Sequence, residues 1–451
     1  MLLFAEITES VSTKLGFVAE RAKRDKDVTF DNLMHMINEE SLKASFQQLR
    51  KECAVGVDGT SRGEYASKLE ENIKGLMERI KRMSYRPQPV RRVYIPKENG
   101  TQRSIGIPAI EDKMVQKAMS WIMEAIYEQD FHKDSYGFRE GRGCHQALKR
   151  INDLMMSKPI NHVIEVDIEG FFDNVEHEKL IEWLRVRIED DYLLRYVIRF
   201  LKSGYMEAEA FKKTERGTPQ GGNISPILAN VFLHYVVDEW FEKEVKPRMK
   251  GQGYVVRYCD DFVILVQYKE EAERILKELK VRLSVNGLTA NAEKTQAISF
   301  GRYEKENAQR QGRKANTFDF LGITHYIGVS QMGKFKVGRK TSNKRYRRSC
   351  VAMSKWLASV RNELPMKQWW QQLTTKIKGH YAYYGVSDNS WSLNAYYQRI
   401  KQIVFKWINR RSQRKSMSWE KFSKYLKRYP LPKPQIVHKF YVPYKLCKTT
   451  Y

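Results

Sequence analysis

Cysteine is scarce in this 451-residue sequence, and the few cysteines present do not form the pairs that metal sites or disulfide frameworks require. No two of them follow the C-x-x-C spacing, so the sequence indicates neither a structural zinc site nor a disulfide-stapled fold. We therefore expect a protein that works in a reducing compartment, the cytoplasm. The five cysteines are scattered along the chain: Cys53, Cys144, Cys259, Cys350 and Cys447.

Long apolar runs are absent as well. Hydrophobic residues make up 42% of the chain, yet no run approaches the roughly 20 consecutive residues of a membrane-spanning helix. The first ten residues, MLLFAEITES, hold no basic residue but include Glu6 and Glu9, which argues against a secretory signal or a transit peptide. We expect a globular protein of about two to four domains with no membrane partner.

Acidic residues are almost missing from the C-terminal quarter. Residues 331–451 hold 28 Lys and Arg against three Asp and Glu, whereas the first 330 residues hold 52 basic and 50 acidic residues. Such an asymmetry is typical of a module that binds a polyanion, above all a nucleic acid. Six of the nine tryptophans also lie in this quarter. They could stack on bases, but we expect most of them to form the core of a helical bundle, with the charge at its surface.

One stretch, GYVVRYCDDFVILVQ at residues 253–267, places two acidic residues between two apolar runs. β-Branched and aromatic residues dominate both runs, which predicts two strands joined by a turn at Asp260-Asp261. Neighbouring carboxylates repel each other, and a divalent cation relieves the repulsion best, although a solvated acidic turn is the simpler alternative. A third carboxylate, Asp167, lies near the end of another strand pattern, VIEVDI at 163–168. Together the three could hold two metal ions about 3.5–4 Å apart, which catalyse in-line phosphoryl transfer.

A hairpin pattern carries two candidate binding residues. The segment RRVYIPKENGTQRSIGI at 91–107 alternates apolar and polar residues on either side of Asn99-Gly100, a strong signal for a tight turn between strands. Lys97 and Arg103 would lie near the tip of this hairpin. Taken alone, these two cations are solvated hairpin charges.

A glycine-rich segment, GTPQGGNISPILAN at 217–230, predicts a loop that opens a helix. Gly221 and Gly222 let the backbone come close to a ligand, because glycine has no side chain. Around this loop the patterns of strand, helix, strand-turn-strand, helix and strand follow one another, which is the split β-α-β arrangement of a ferredoxin-like domain. Three helical patterns then recur at about 344–361, 367–384 and 393–411.

The motifs VDIEGFFDNV, GTPQGGNISPILAN, RYCDDF and FLGI occur in this order, and together they resemble the reverse transcriptases encoded by bacterial group II introns, also called maturases. The resemblance runs from about Phe30 to about Tyr441. It implies an α+β right-hand polymerase with fingers and a ferredoxin-like palm, followed by an α-helical thumb or maturase domain. The implied divisions are an N-terminal leader at 1–30, fingers at 31–160, palm at 161–330, thumb at 331–428 and an extended tail at 429–451.

The resemblance also implies roles for individual residues. Asp167, Asp260 and Asp261, with Ile168 beside them, would bind two Mg²⁺ ions, for which Mn²⁺ could substitute. Phe172 would lie under the sugar of the nucleotide, where its ring would clash with a 2′-hydroxyl and select deoxynucleotides, although a core phenylalanine is the simpler alternative. The other implied nucleotide-binding residues are Lys97, Arg103, Gln220 and Lys294. The implied template and primer contacts are Arg139, Gly221, Gly222, Leu321 and Gly322.

The implied activity is RNA-directed DNA synthesis on an RNA template, from a DNA or RNA primer and with deoxynucleoside triphosphates. Such proteins also bind their group II intron RNA and assist its splicing and mobility. Two alternatives remain open: a protein that is mainly an RNA-binding splicing cofactor, and a domesticated enzyme of DNA repair or phage defence. Cys259 stands where the family usually has alanine, and we interpret it as a candidate oxidation-sensitive thiol. The sequence lacks the His and Cys pairs of the family's metal-dependent endonuclease, so we expect no DNA cleavage.

Overall fold

Helices and strands are both well represented, which confirms the predicted α+β fold class. The structure, a computed structural model, describes residues 9–96, 102–207, 210–218, 221–411 and 417–441. None of the described helices is both long and apolar enough to cross a bilayer. Packing divides the chain into two units. The first comprises Met1–Gly143, Val166–Ile264 and Glu270–Gln296. The second comprises Cys144–Glu165, Leu265–Lys269 and Ala297–Tyr451. These units interleave along the chain, and the boundaries of fingers, palm and thumb stay a prediction.

The N-terminal part of the chain is mainly helical and includes the expected hairpin. Its elements are α1 (Glu9–Arg24), α2 (Glu39–Gln47), α3 (Arg62–Ser67), α4 (Leu69–Lys81), β1 (Val90–Pro96), β2 (Gln102–Ile107) and α5 (Ile110–Tyr127). Helix α4 buries Ile73, Leu76 and Ile80 on one face, as their helical spacing predicts. The hairpin is confirmed, because β1 and β2 pair antiparallel with Val93 opposite Ile105.

The middle of the chain follows the β-α-β-β-α-β pattern that we predicted for the palm. Its elements are α6 (Cys144–Ser157), β3 (His162–Val166), α7 (Phe171–Asn174), α8 (His177–Arg185), α9 (Asp191–Leu201), β4 (Tyr205–Glu207), β5 (Ala210–Lys212), α10 (Ser225–Leu233), a π-helix (His234–Val245), β6 (Gly253–Tyr258), β7 (Asp261–Val266), α11 (Lys269–Val285) and β8 (Gln296–Ser299). The four palm strands form one sheet in the order β6-β7-β3-β8. The loop before α10 and the acidic turn between β6 and β7 lie where the sequence predicts them.

A second sheet has the order β2-β1-β4-β5. In it β1 runs antiparallel to β2 but parallel to β4, with Val90 opposite Tyr205. We did not predict β4 and β5, because strands of three residues are too short to show a period of two. They extend the hairpin sheet and, as described below, help to line a pocket.

The C-terminal part consists of a small sheet and a helical bundle. Its elements are α12 (Glu304–Arg310), β9 (Phe318–Phe320), β10 (Ile323–Val329), β11 (Phe335–Thr341), α13 (Asn343–Glu363), α14 (Met366–Tyr384), α15 (Ser390–Ile408) and α16 (Trp419–Arg428). The three predicted long helices are therefore confirmed. Trp369 and Trp370 are buried in the core of the bundle, and Trp356 and Trp407 pack against it. Trp391 and Trp419 are the exceptions, with 79% and 45% of their surface exposed.

Candidate active site

The acidic pair lies on a tight turn between two buried strands. Strand β6 ends at Tyr258 and β7 begins at Asp261, so Cys259 and Asp260 alone form the turn. Cys259 has a φ of +58°, a left-handed conformation that costs a non-glycine residue about 1–2 kcal/mol. Asp261 is exposed and Asp260 is half-buried. Both carboxylates therefore stand at the end of the hairpin rather than in the core.

The Cys259 thiol is shielded from solvent. The residue is 4% exposed, and burial raises the pKa of the thiol well above its usual range. Oxidation proceeds through the exposed thiolate. Our interpretation of Cys259 as an oxidation-sensitive position is therefore wrong, because the fold keeps the sulfur away from solvent and its burial disfavours the thiolate.

Asp167 lies one residue beyond β3, at the same end of the sheet as the acidic turn. The Asn161 N–H, just before β3, donates to the carbonyl of Val266 at the end of β7 (3.1 Å), so these neighbouring strands run antiparallel. The end of β3 therefore meets the start of β7, where Asp261 begins the strand. The Asp167 N–H donates to the Thr295 hydroxyl (3.2 Å), which holds the residue in place.

A lysine occupies the space beside Asp167. Lys294 Nζ lies 2.8 Å from Asp167 Oδ2, and the Lys294 N–H donates to the Asn291 side chain (3.2 Å). Both charged side chains are partly exposed, 62% for Lys294 and 45% for Asp167, so solvent reduces their attraction to between 0 and about 1 kcal/mol. The carboxylate of Asp167 thus already binds one cation, the Lys294 ammonium group. Separating the two groups costs little free energy.

The three carboxylates supply hard oxygen donors, the type that Mg²⁺ and Mn²⁺ prefer. Within the described ranges, however, no group of three or more His, Cys, Asp or Glu side chains is arranged to hold a metal ion. Asp167 is paired with Lys294 instead, and Ile168 has an apolar, buried side chain, which leaves its backbone carbonyl as its one possible ligand. The donor chemistry fits a divalent ion, whereas the joint action of Asp167, Asp260 and Asp261 on such an ion stays a prediction.

Two of the predicted nucleotide-binding residues line one pocket, which has a volume of about 450 Å³. This is within the roughly 300–1,000 Å³ of small-molecule sites. Arg103 contributes from β2 and Phe172 from α7. The Phe172 carbonyl accepts a hydrogen bond from the Thr218 N–H (2.7 Å), so the wall that carries the ring is tied to the loop before α10. Of the other three predicted residues, Lys294 lies beside Asp167, and Lys97 and Gln220 lie outside the described residues.

Three further cations line the same pocket, and we did not predict them. Arg92 stacks on Tyr205, with its guanidinium carbon 3.3 Å from the centre of the ring. Lys213 and Arg216, which follow β5, line it as well, so that four cations face two acidic residues of the lining, Asp173 and Glu215. The sequence offers one weak signal for them, the basic run KKTER at 212–216. Arg92 has no local signal, because its partner Tyr205 is brought to it by the pairing of β1 with β4.

Comparison with known proteins identifies the family. Residues 95–325 match the family model described as reverse transcriptase (RNA-dependent DNA polymerase). This chain belongs to the reverse transcriptase family. The family assignment agrees with the order of motifs in the sequence and with the palm sheet in the structure, and it confirms the predicted resemblance.

The relatives of this reverse transcriptase include intron-encoded proteins. It is 34% identical over 245 residues to the group II intron-encoded protein LtrA of Lactococcus lactis subsp. cremoris, a match that covers 52% of this chain and 41% of LtrA. It is 34% identical over 268 residues to protein YkfC of Escherichia coli (strain K12), which covers 51% of this chain and 70% of YkfC. A weaker match, 25% over 159 residues, is to nuclear intron maturase 4, mitochondrial, of Arabidopsis thaliana and covers 34% of this chain and 19% of that protein. The chain thus spans less than half the length of LtrA.

Reverse transcriptases as a family use divalent metal ions, in keeping with the donor chemistry of the acidic turn.

The glycines of the GTPQGGN segment pack against the reverse transcriptase's own chain. A Cβ on Gly221, which has a φ of +114°, would lie 2.6 Å from the carbonyl oxygen of Gly106 in β2. A Cβ on Gly222 would lie 2.8 Å from the side-chain oxygen of Gln116 in α5. The missing side chains thus let this loop dock on the hairpin and on α5, and a contact with the template stays a prediction.

Arg139, a predicted template contact, is bound on several sides by the protein. Its side chain is 2% exposed and forms an ion pair with Glu128 at 2.6 Å. It also donates to the carbonyls of His132 and Ser135, both at 2.7 Å. Because breaking such a buried pair is costly, these contacts favour a structural role in holding the segment between α5 and α6. The template contact stays a prediction.

Leu321 and Gly322 form the turn between β9 and β10, with positive φ values of 51° and 77°. The Tyr383 hydroxyl donates to the Leu321 carbonyl (2.9 Å), and a Cβ on Gly322 would come within 3.1 Å of the Arg345 side chain. These residues belong to the second unit. The FLGI motif thus forms a tight turn braced by α13 and α14, and its role at the primer end stays a prediction.

Proposed function

We propose that this reverse transcriptase is an RNA-directed DNA polymerase, which extends a DNA or RNA primer along an RNA template with deoxynucleoside triphosphates. The observation that carries the proposal is the placement of Asp260 and Asp261 at the end of the palm sheet where Asp167 also emerges. Family membership supports the class of reaction, and the acidic turn is the place that we propose for it. In the same proposal the fingers are residues 31–160, the palm 161–330 and the thumb 331–428, with a leader at 1–30 and a tail at 429–451.

The three aspartates are the proposed ligands of two Mg²⁺ ions. Such ions would activate the 3′-hydroxyl of the primer and stabilise the charge on the triphosphate during in-line transfer. The chain itself holds the carboxylates at the end of the sheet and keeps the ammonium group of Lys294 beside Asp167. Because this ion pair is weak, the ammonium group is able to turn towards a phosphate that enters the same space.

The 450 Å³ pocket is the proposed site of the incoming nucleotide. Arg92, Arg103, Lys213 and Arg216 outnumber the two acidic residues that line it, and the excess positive charge would offset the negative charge of the phosphates. Phe172 lines the same pocket and would exclude a 2′-hydroxyl by contact with its ring. The neighbouring cations and the ring together support a site for a deoxynucleoside triphosphate.

Primer extension on an RNA template tests the proposal. The wild-type protein should extend the primer with deoxynucleotides and Mg²⁺, and fail to do so with ribonucleotides. Asp261→Asn should abolish extension, whereas Asp191→Asn, which changes an aspartate that is 68% exposed at the start of α9, should leave it unchanged. A folded wild-type protein that binds RNA tightly but extends no primer with either set of nucleotides would refute the proposal.

A second function, binding of group II intron RNA to assist splicing and mobility, is favoured by the charge of the C-terminal quarter. The apolar residues of α13, α14 and α15 face a shared core, while basic residues such as Lys344, Arg347 and Lys355 are exposed. The intron names of the relatives favour this role over the domesticated alternatives, DNA repair and phage defence.

A splicing assay with the double variant Asp260→Ala, Asp261→Ala tests this second function. We expect the variant to support splicing of the intron RNA while making no DNA, because the basic thumb surface is unchanged. RNA binding by both proteins should weaken as salt rises, by roughly one unit of log-log slope for each neutralised phosphate. Wild-type protein that leaves splicing unaffected and binds intron RNA without salt dependence would contradict the proposal.

A further inference from the structure

A buried arginine supports the backbone of the acidic turn. Arg257 lies in β6, two residues before the turn, and is fully buried. Its guanidinium donates to both carboxylate oxygens of Asp238, at distances from 2.5 to 3.1 Å. It also donates to the side-chain oxygen of Asn230 (3.1 Å) and to the carbonyl of Cys259 (3.2 Å). One side chain thus connects α10 and the π-helix to the peptide bond between Cys259 and Asp260.

A second segment, residues 134–137, supports the turn and the end of β6 from another side. It pairs with the backbone N–H and carbonyl of Arg257, at 2.9 and 2.8 Å. A Cβ on Gly137 would lie 2.4 Å from the Cys259 nitrogen, so the two backbones touch with no room for a side chain. The Asn230 amide donates to the Gly137 carbonyl (2.7 Å). Asn230 therefore ties this segment and Arg257 into one buried network around the turn.

The turn needs support of this kind. Cys259 is held at a φ of +58°, which is unfavourable for a residue with a side chain, and the charges of Asp260 and Asp261 repel each other. A buried ion pair such as Arg257–Asp238 is a poor device for stability alone, because apolar residues of similar volume often stabilise a core equally well or better. An apolar residue could not replace the hydrogen bonds of Arg257 to the Asn230 side chain and to the Cys259 carbonyl, and the second of these acts on the turn itself.

We propose that Arg257 is a positioning residue of the polymerase site: held by Asp238 and Asn230, it fixes the Cys259 carbonyl and thereby the direction in which the Asp260 and Asp261 carboxylates point. This inference rests on the proposed polymerase function, which is what gives that direction its importance. Groups that orient the ligands of a metal ion typically contribute about 10–100-fold to metal affinity or activity. We expect an effect of this size when the support of the turn is removed.

The test removes both charges of the buried pair at once, in Arg257→Met with Asp238→Asn. Neither partner is then left as an unpaired buried charge, so the variant is expected to fold. Three quantities are measured: the melting temperature, the Mg²⁺ concentration that gives half-maximal primer extension, and the binding of Mn²⁺ to the free protein followed by electron paramagnetic resonance. We expect extension to slow by about 10–100-fold and Mn²⁺ to bind at least about tenfold more weakly.

A matched control pair lies elsewhere in the same unit. Arg187 and Asp130 form a second buried ion pair at 3.1 Å, with side chains 2% and 11% exposed. Arg187→Met with Asp130→Asn should lower the melting temperature comparably but leave the Mg²⁺ requirement and Mn²⁺ binding at wild-type values. If both double variants lose activity and Mn²⁺ binding equally, or if the Arg257 variant folds and retains both, the positioning role is refuted.

Gly137→Ala provides an independent test that changes no charge. The added Cβ has no space beside the Cys259 nitrogen, so it should displace the turn and weaken Mn²⁺ binding in the same way. Gly143→Ala is the control, since a Cβ there meets no atom within 4 Å. Should the wild-type protein make no DNA at all, the proposed function fails, while the Mn²⁺ comparison still decides whether Arg257 and Gly137 position the carboxylates.

Discussion

The variant Asp167→Asn distinguishes the contribution of the Asp167 carboxylate to stability from its contribution to DNA synthesis. The Asp167–Lys294 pair is 45% and 62% exposed, and it therefore stabilises the fold by at most about 1 kcal/mol. The bonds that the backbone of residue 167 makes to Thr295 and Asn291 do not involve its carboxylate, and asparagine has the same size. We expect the free energy of unfolding of this variant to lie within about 1 kcal/mol of the wild-type value.

DNA synthesis by Asp167→Asn should fall far more than stability. A metal ion at the reacting phosphate stabilises the transition state by several kcal/mol, and each 1.36 kcal/mol corresponds to a factor of ten. Loss of a metal ligand should therefore slow primer extension by at least about 1,000-fold. Asp238→Asn is the matched comparison: Asp238 is 1% exposed and lies 2.5 Å from Arg257, and removing one partner of a buried pair costs about 3–5 kcal/mol.

The assay combines urea unfolding, followed by tryptophan fluorescence, with single-turnover primer extension well below the melting temperature. The expected pattern is a stable, inactive Asp167→Asn and an unstable Asp238→Asn. The reasoning is wrong if Asp167→Asn loses more than about 2 kcal/mol of stability, because its carboxylate would then be part of the fold. It is equally wrong if that variant makes DNA at the wild-type rate.

Three further variants test nucleotide selection in the pocket, the protonation of a buried carboxyl group and RNA binding by the thumb. Phe172→Ala should lower the preference for deoxynucleotides over ribonucleotides, measured as a ratio of kcat/KM, by about tenfold or more. Asp112→Asn should stabilise the protein at alkaline pH, because burial raises the pKa of Asp112 to about 7 and the native carboxylate is charged in the core above that pH. In unfolding titrations the stability of the variant relative to the wild type should rise by about 4 kcal/mol between pH 4 and pH 8, with the change lost as the pH falls from 7 towards 4. Replacing Lys355, Arg399 and Lys406, which line one groove of the bundle, by glutamine should lower the log-log salt slope of RNA binding by about two to three units.

Each of these predictions has a result that contradicts it. Unchanged nucleotide selection in Phe172→Ala would show that the ring is a core residue without a gating role. A stability difference between Asp112→Asn and wild type that does not vary with pH would mean that the native carboxyl group is not protonated below pH 7. An unchanged salt slope in the triple variant would place the RNA contacts outside the groove.

Elements whose signal lies within one continuous stretch could be predicted from the sequence. The acidic turn is flanked by two apolar runs, so both strands and the position of Asp260 and Asp261 followed from local pattern. The long helices of the thumb repeat apolar residues over five turns, and each begins and ends within a few residues of its predicted bounds. Asp167 was found in the same way, from the end of an apolar run.

Contacts between distant parts of the chain could not be predicted. The basic residues of the C-terminal quarter indicated a charged surface, yet one of them, Arg339, is fully buried in β11. It donates there to Asp388 (2.6 Å) and Asn152 (2.8 Å), 49 and 187 residues away. Arg139 similarly forms its ion pair with Glu128 across a turn. A lone arginine carries no sign of its partner in the sequence, so burial of a charge becomes visible only once the fold brings the partner close.

The polar residues of the palm fall into two groups with opposite energetic roles. Asp167 is partly exposed and Asp261 is exposed, so their carboxylates add little to stability, and the weak pair of Asp167 with Lys294 is able to give way to another cation. Arg257 and Asp238 are buried and add no ligand of their own. Because the exposed carboxylates cannot fix their own direction, the direction has to come from the backbone that carries them. It follows that substitutions of the first group should abolish activity at constant stability, whereas those of the second should alter metal affinity through the turn at Cys259.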